Sequence, residues 1–356
     1  MPETGKAINQ FAKADILTKT AAPIRRRWRM FLPVLLVIVL GAAWSGGWFY
    51  AAGKAETLIE AALAREAERG RILDCSNKAV SGFPFRIVFD CGKPNLKIAR
   101  GDVQADFTAA HLKAAVQVYQ PNHVIAELTG PLTVAGGGIT GEGNWRSAQA
   151  SVRLAPDKVD QIDVAVSDLT VSSSGADKPH ASASHAEAHL RRTPDSTTRD
   201  FDIALLADGL ALTDPLLPPQ LTGFQRAELA GTVRAVPPGV DENATKSLKL
   251  WQQNQGRLEI GRLWLDTGEA AVLASGTLAL EESGRPSGTL KAALANAPAL
   301  VGNSAAGPLQ LVTAAMQFLG KRVEVEGRKA VEINVGINDG MLKIGPAKLG
   351  PLPPLY

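Results

Sequence analysis

Phe31 to Tyr50 is a run of twenty residues without a charged side chain, and Arg25, Arg26, Arg27 and Arg29 stand just before it. As a helix rising 1.5 Å per residue, such a run is about 30 Å long, the thickness of a bilayer's hydrocarbon core. A helix from the core of a soluble domain would carry a polar face, which this run does not. About thirty residues precede it, more than a cleavable signal peptide has before its apolar region. Trp28 marks one end and Trp44, Trp48, Phe49 and Tyr50 the other, the aromatic belt expected at headgroup depth. Pro33 falls in the first turn, where its missing N–H costs little. The pattern predicts an uncleaved transmembrane helix over residues 31–50. The arginine flank resists translocation, so residues 1–30 form a basic cytoplasmic tail and residues beyond about 52 lie across the membrane.

Charge agrees with this division. Residues 1–30 hold seven Lys and Arg against Glu3 and Asp15, a net of +5, whereas the whole chain is +3. Everything after residue 30 therefore sums to −2. A nucleic-acid partner would require a basic face on the folded part, and none is expected. The tail's charge suits anionic lipid headgroups.

Cys75 and Cys91 are the two cysteines of the chain, both on the exported side, and enclose 15 residues. They are expected to pair as a structural disulfide in an oxidising compartment such as a bacterial periplasm. In the chain-entropy model a loop of this size is stabilised by about 3 kcal/mol. No His lies within the loop to complete a zinc site, and the spacing is not that of a redox C-x-x-C pair.

Beyond the anchor, Ala55, Leu58, Ile59, Ala62 and Leu63 recur at helical spacing over Lys54–Glu68 and Gly70 follows, which predicts a stalk helix within residues 53–70. From residue 71 the period becomes two. Phe83, Phe85, Ile87 and Phe89 alternate with Pro84, Arg86, Val88 and Asp90, and similar runs include Val124–Leu128, Ile162–Val166, Phe201–Leu205 and Val331–Ile337. Alternation of this kind marks strands buried on one face. Residues 71–356 are thus expected to form a mainly β domain, a long curved antiparallel meander with two or three short helices. The helices fall at Asn243–Gln255 and Leu309–Leu319. Asp214–Gln220, with three prolines, is expected to be irregular. Residues 171–195, rich in Ser, Ala, Asp and His, are expected to form a long surface loop.

Chemistry is sparse. His185 and His189 stand four apart without the acidic partner of a zincin motif, and His111 and His123 fall at strand starts. No G-x-S-x-G elbow or phosphate loop occurs. No catalytic, metal or cofactor site is expected, and the protein is read as a non-enzyme.

The most distinctive string is Gly82-Phe83-Pro84-Phe85-Arg86. Alternation places Phe83, Phe85, Ile87 and Phe89 in the interior beneath the stalk helix and Arg86 on the opposite face. This string lies between two cysteines, just after an anchor and a helix. It resembles the Gram-negative family catalogued as domain of unknown function 2125. So do Gly276-Thr277-Leu278-Ala279-Leu280 with Gly284–Leu290, and the ending from Gly345-Pro346 to Pro351-Leu352-Pro353-Pro354-Leu355-Tyr356. The resemblance implies a protein anchored in the bacterial inner membrane, with its C-terminal domain in the periplasm and no assigned activity. The Gly-bounded strand pair is also similar to those of AsmA-like envelope proteins, whose curved sheets are thought to carry lipid. Two functions follow as expectations: binding of a lipid or an envelope partner on the sheet, or an assembly scaffold that pairs through sheet edges. An apolar face left open favours the first, and a filled sandwich the second.

Overall fold

The computed structural model describes residues 28–100, 103–155, 158–173, 180–213, 221–238, 244–301, 320–344 and 347–356. Residues 1–27, Asp214–Gln220 and the helix expected at Leu309–Leu319 lie outside them.

The segments expected to form the anchor and the stalk are one helix, α1 (Trp28–Glu68), 41 residues and about 60 Å long. Pro33, near its start, leaves the hydrogen-bonded ladder beyond it intact. Phe31, Leu32 and Val34 to Leu40 are each more than half exposed, so no protein surface covers this first half of the apolar run. This is the one described helix long and apolar enough to cross a membrane. Glu66 binds Arg69 and Arg71 and so ties the helix end to the first strand.

The rest of the chain is one antiparallel meander. It opens with strands that come in consecutive pairs: β1 (Arg71–Asp74) with β2 (Asn77–Ser81), β3 (Arg86–Gly92) with β4 (Asn95–Arg100), and β5 (Val103–Thr108) with β6 (His111–Gln117). Then come β7 (Gln120–Thr129) with β8 (Leu132–Gly136), and β9 (Ile139–Asn144) with β10 (Ser147–Ala155). Each pair is one long strand broken once. Asp74 faces Asn95 and Asn77 faces Gly92, so one register continues across the break. The breaks align as a crease through Cys75, Pro94, Ala109, Pro131 and Trp145. The unbroken β11 (Lys158–Ser173) pairs with β10 below the crease and β9 above it. Trp145 fills the crease beside Gly130 and Gly143 and donates its Nε1–H to the Leu128 carbonyl at 2.8 Å. Cys75 and Cys91 are bonded across the crease, with Cα atoms 5.3 Å apart and Cys91 fully buried.

After β11 follow β12 (Ala181–Arg192), β13 (Phe201–Leu212), β14 (Gly223–Arg234), α2 (Ala244–Gln253), β15 (Arg257–Asp266), β16 (Ala271–Leu280) and β17 (Pro286–Ala295). The chain ends with α3 (Ala297–Val301), β18 (Lys321–Val325), β19 (Arg328–Asn338), β20 (Met341–Ile344) and β21 (Ala347–Pro351). The loop expected at 171–195 is therefore replaced over most of its length by the end of β11 and by β12. In β12, Ala186, Ala188 and Leu190 line one face and His185, Glu187 and His189 the other. Pairing to β11 and β13 on both sides holds this Ala-rich segment extended against its weak strand propensity.

The same alternation runs through the whole sheet. Val80, Phe89, Ala114, Ala126, Ala150, Val164, Ala188, Leu205, Leu229, Leu263, Ala274, Ala292 and Ile333 are successive cross-strand partners. At about 4.8 Å per strand, these thirteen residues form an apolar row about 57 Å long. A second row runs beside it from Ile87 through Val116, Val124, Val152, Ile162 and Leu190 to Ile203. A third runs from Ala148 through Val166, Ala186, Ala207 and Ala227 to Leu265. Only the C-terminal end of this face is packed, around buried Ile333 and Ile344 with Ala292, Leu294 and Ala297 against them. From β2 to β14 no residue of the long row is buried, and Leu205 is 46% exposed.

Candidate functional site

Two features of this frame can engage a ligand: the open apolar face and the rim where the sheet meets α1. The face is hollowed at the crease. Leu112, Ala126, Leu128, Trp145, Val164 and Val166 line a depression of about 370 Å³ there. No charged side chain lines it, so it offers dispersion contacts and desolvation but no polar reaction centre.

The rim carries the Gly82–Arg86 string, and its geometry departs from the expected strand. The strand begins only at Arg86. Gly82 has φ +107°, and a Cβ there would lie 2.7 Å from the Arg86 carbonyl oxygen, so Gly82 closes a turn that the Arg86 N–H seals by donating to the Gly82 carbonyl. Phe83 and Phe85 therefore lie in the turn and not in the interior, 51% and 59% exposed. Ile87 and Phe89 do face the apolar side, and Arg86 is exposed. The period-two signal ran three residues too far, because apolar and polar residues go on alternating through the Phe83–Phe85 turn, where no partner strand is paired.

The turn is fastened to α1. Trp44 donates its Nε1–H to the Pro84 carbonyl and Trp48 donates to the Arg86 carbonyl, both at 2.9 Å. Phe83 stacks on Phe49 with ring centroids 5.9 Å apart and meets Trp48 edge-on at 5.4 Å, while Phe85 lies 6.1 Å from Trp44. The β6–β7 turn stands beside it, where the Val118 N–H donates to the Phe85 carbonyl and Tyr119 is 66% exposed. Leu40, Trp44, Gly47, Trp48 and Val118 enclose an apolar notch of about 460 Å³ between helix and rim. Alternation set this string beneath the stalk helix; that Trp44 and Trp48 of the apolar run hold it instead was not legible, because the contact joins residues some forty positions apart.

The histidines sit on the polar face or at its edges. His189 Nδ1 lies 2.9 Å from Asp163 and its Nε2 3.0 Å from Glu187, whose other oxygen is 2.7 Å from His185. The Asp163 and Glu187 bonds raise the His189 pKa against the opposing effect of burial. His111 pairs with Asp90 at 2.6 Å and His123 with Ser151 at 2.8 Å. Among the described residues no group of three or more His, Cys, Asp or Glu is arranged to hold a metal ion. Where the β12–β13 turn meets β14, buried Asp200 accepts bonds from the Ala235 amide, Ser196, Thr198 and Arg234. Burial opposes its ionisation, but these four donors outweigh it and hold the carboxyl well below the ordinary range.

No curated protein matches the chain, nor does any solved structure, so the likeness to AsmA-like envelope proteins gains no support from either. The sequence profile of the uncharacterised proteins conserved in bacteria known as domain of unknown function 2125 matches residues 48–353, which take in the rim string, the crease and the Gly-bounded strand pair; the chain belongs to that family.

Proposed function

We propose that this protein is a non-catalytic lipid-binding protein of the bacterial envelope, anchored by α1 in the inner membrane with its sheet in the periplasm. One observation carries the reading: a thirteen-strand apolar row with no second layer over it from β2 to β14. Leaving such a face in water is unfavourable at about 25 cal/mol per Å² of apolar surface, and acyl chains are long, flexible and apolar enough to cover it. The rim supports the same reading. Phe85 sits beside Trp44, six residues before the end of the apolar run, or about 9 Å inside it along the helix axis. The Phe83–Phe85 turn and Tyr119 thus reach headgroup depth, and the notch beside Val118 opens the apolar face toward the bilayer. The arginines before the helix favour a cytoplasmic N-terminus, and the disulfide suits an oxidising exterior.

Edge pairing has less in its favour. Helix α1 lies along β1 and β2, and of the strands on the opposite edge β18 is short and charged through Lys321, Arg322 and Glu324, while β21 ends at Pro351, followed by Pro353 and Pro354, which have no N–H to give a partner strand.

The test is photocrosslinking of the full-length protein in membranes with a phospholipid whose acyl chain is photoactivatable. Label is expected in peptides covering residues 111–128 and 148–166 as well as in α1. Label confined to α1 would overturn the reading. A C-terminal reporter active only in the cytoplasm would overturn the topology.

A further inference from the structure

We propose that Arg192 and Arg199 form a binding site for the phosphate group of an anionic phospholipid whose acyl chains lie on the apolar face. The proposal rests on the lipid-binding reading and specifies the class of lipid.

Arg192 ends β12 and is the cross-strand partner of Phe201, which begins β13. It shares its strand face with Ala188 and Leu190, so it continues the apolar side of the sheet at the rim. Its guanidinium lies 5.6 Å from the centre of the Phe201 ring, and that of Arg199 lies 5.9 Å from the same centre. One aromatic ring thus holds two cations. Stacking of this kind fixes a guanidinium plane while leaving its N–H groups free to donate.

Neither guanidinium has an ion-pair or hydrogen-bond partner among the described residues, and the Arg192 Nε is buried without one. Nearby arginines are engaged: Arg191 binds Asp202, and Arg234 binds Asp200 and Glu259. The pair lines a cavity of about 320 Å³ whose apolar wall includes Ile162 and Leu190, both in the apolar row nearest the rim. Asp160 is the carboxylate on that wall, so the three charges leave a net of +1. A phosphate diester joined to acyl chains meets both requirements at once: planar guanidinium forks match its oxygens, and the adjoining row accepts the chain. A neutral lipid would leave both guanidiniums unpaired.

The experiment exposes full-length protein in detergent to photoactivatable phosphatidylglycerol or to a diacylglycerol with the same acyl chains, and quantifies cross-links to residues 158–212. Phosphatidylglycerol is expected to label this region about tenfold more than diacylglycerol, the scale of one charge-assisted contact. R192Q/R199Q should reduce phosphatidylglycerol labelling to the diacylglycerol level. Arg199→Gln, in an exposed turn, should lower the preference several-fold without disturbing the fold. Arg191→Gln, on the opposite face, should keep it. Equal labelling of the wild type by both lipids, or a preference that survives R192Q/R199Q, overturns the headgroup site and leaves lipid binding standing. Loss of the label to millimolar inorganic phosphate overturns the lipid as the source of the anion. No label from either lipid defeats the lipid-binding reading and this site together.

Discussion

The indole N–H groups of Trp44 and Trp48 reach the carbonyls of Pro84 and Arg86, so the Phe83–Phe85 turn is held by directed bonds more than by burial of its own rings. Trp48 is only 6% exposed and Phe85 59%, and their substitutions should differ accordingly. Trp48→Phe leaves the Arg86 carbonyl without its donor and is expected to cost about 1–3 kcal/mol. Phe85→Ala should cost less than about 1 kcal/mol in detergent. Chemical denaturation of the two variants side by side checks the order, and equal losses would count against the clamp. Asp200 is the other residue whose role is set by its partners. Removing it as Asp200→Ala leaves Arg234 with Glu259 alone and the Ala235 amide without its acceptor, a loss of about 3 kcal/mol. Asp200→Asn keeps the shape without the charge and should fall between the wild type and Asp200→Ala in denaturation midpoint.

At the scale of elements, legibility followed the apolar side chains. β3, β7, β13 and β19 alternate Val, Ile, Leu and Phe with polar residues, and their strand character was plain. β12 was not, because its apolar positions are largely Ala and its polar ones include two His, the composition of a loop. What makes it a strand is its neighbours, whose backbone groups pair with it along both edges. The same arrangement gives β12 a pH signature. His189 has a pKa raised by its Asp163 and Glu187 bonds, so its contribution is complete below its unfolded value of about 6.5 and is lost as pH rises through the folded value. For Asp163, burial is outweighed by the Gln161 and His189 bonds, and Glu187 is lowered by its His185 and His189 bonds. Both carboxylates therefore contribute above about pH 4 and lose that contribution as pH falls. The gap in melting temperature between wild type and His189→Gln should be widest between about pH 5 and pH 6.5 and shrink as pH rises through the folded pKa of His189. A gap that widens toward alkaline pH would contradict this assignment. The Gly-bounded motif also finds its reason here. Gly276 (φ +146°) and Gly288 (φ +143°) sit on adjacent strands, and a Cβ on either would lie within 2.2 Å of the opposing carbonyl oxygen.

For the molecule as a whole, the sheet is amphipathic from β2 to β14, whereas from β15 onward its other face is packed as well, around Trp264, Ala271, Ala293 and Ala295. The crease was not legible, since a register that continues across a break leaves the period-two pattern almost unchanged. The disulfide was legible, and its place on the crease gives it a purpose: it pins the two halves of the first hairpin where pairing is interrupted. Cys75→Ser should lower stability by about 3 kcal/mol in oxidising buffer and make no difference under reductant, as read from denaturant midpoints. The open face allows a sharper test, because Ala204 and Leu205 are adjacent on β13 and point to opposite sides. Leu205 stands in the long row between Ala188 and Leu229, 46% exposed, whereas Ala204 is opposite His189 on the polar side. Both positions accept a longer side chain without a cavity or a clash in a packed core. A carboxylate at 205 would have to lose its hydration wherever an acyl chain crossed it, at a cost of several kcal/mol. A carboxylate at 204 would meet water and the His189 imidazole. Leu205→Glu is therefore expected to remove acyl-chain cross-links from β14 and β15 while Ala204→Glu retains them, with both variants melting close to the wild type. If the two variants keep or lose those cross-links together, the rows are not the path along which lipid lies.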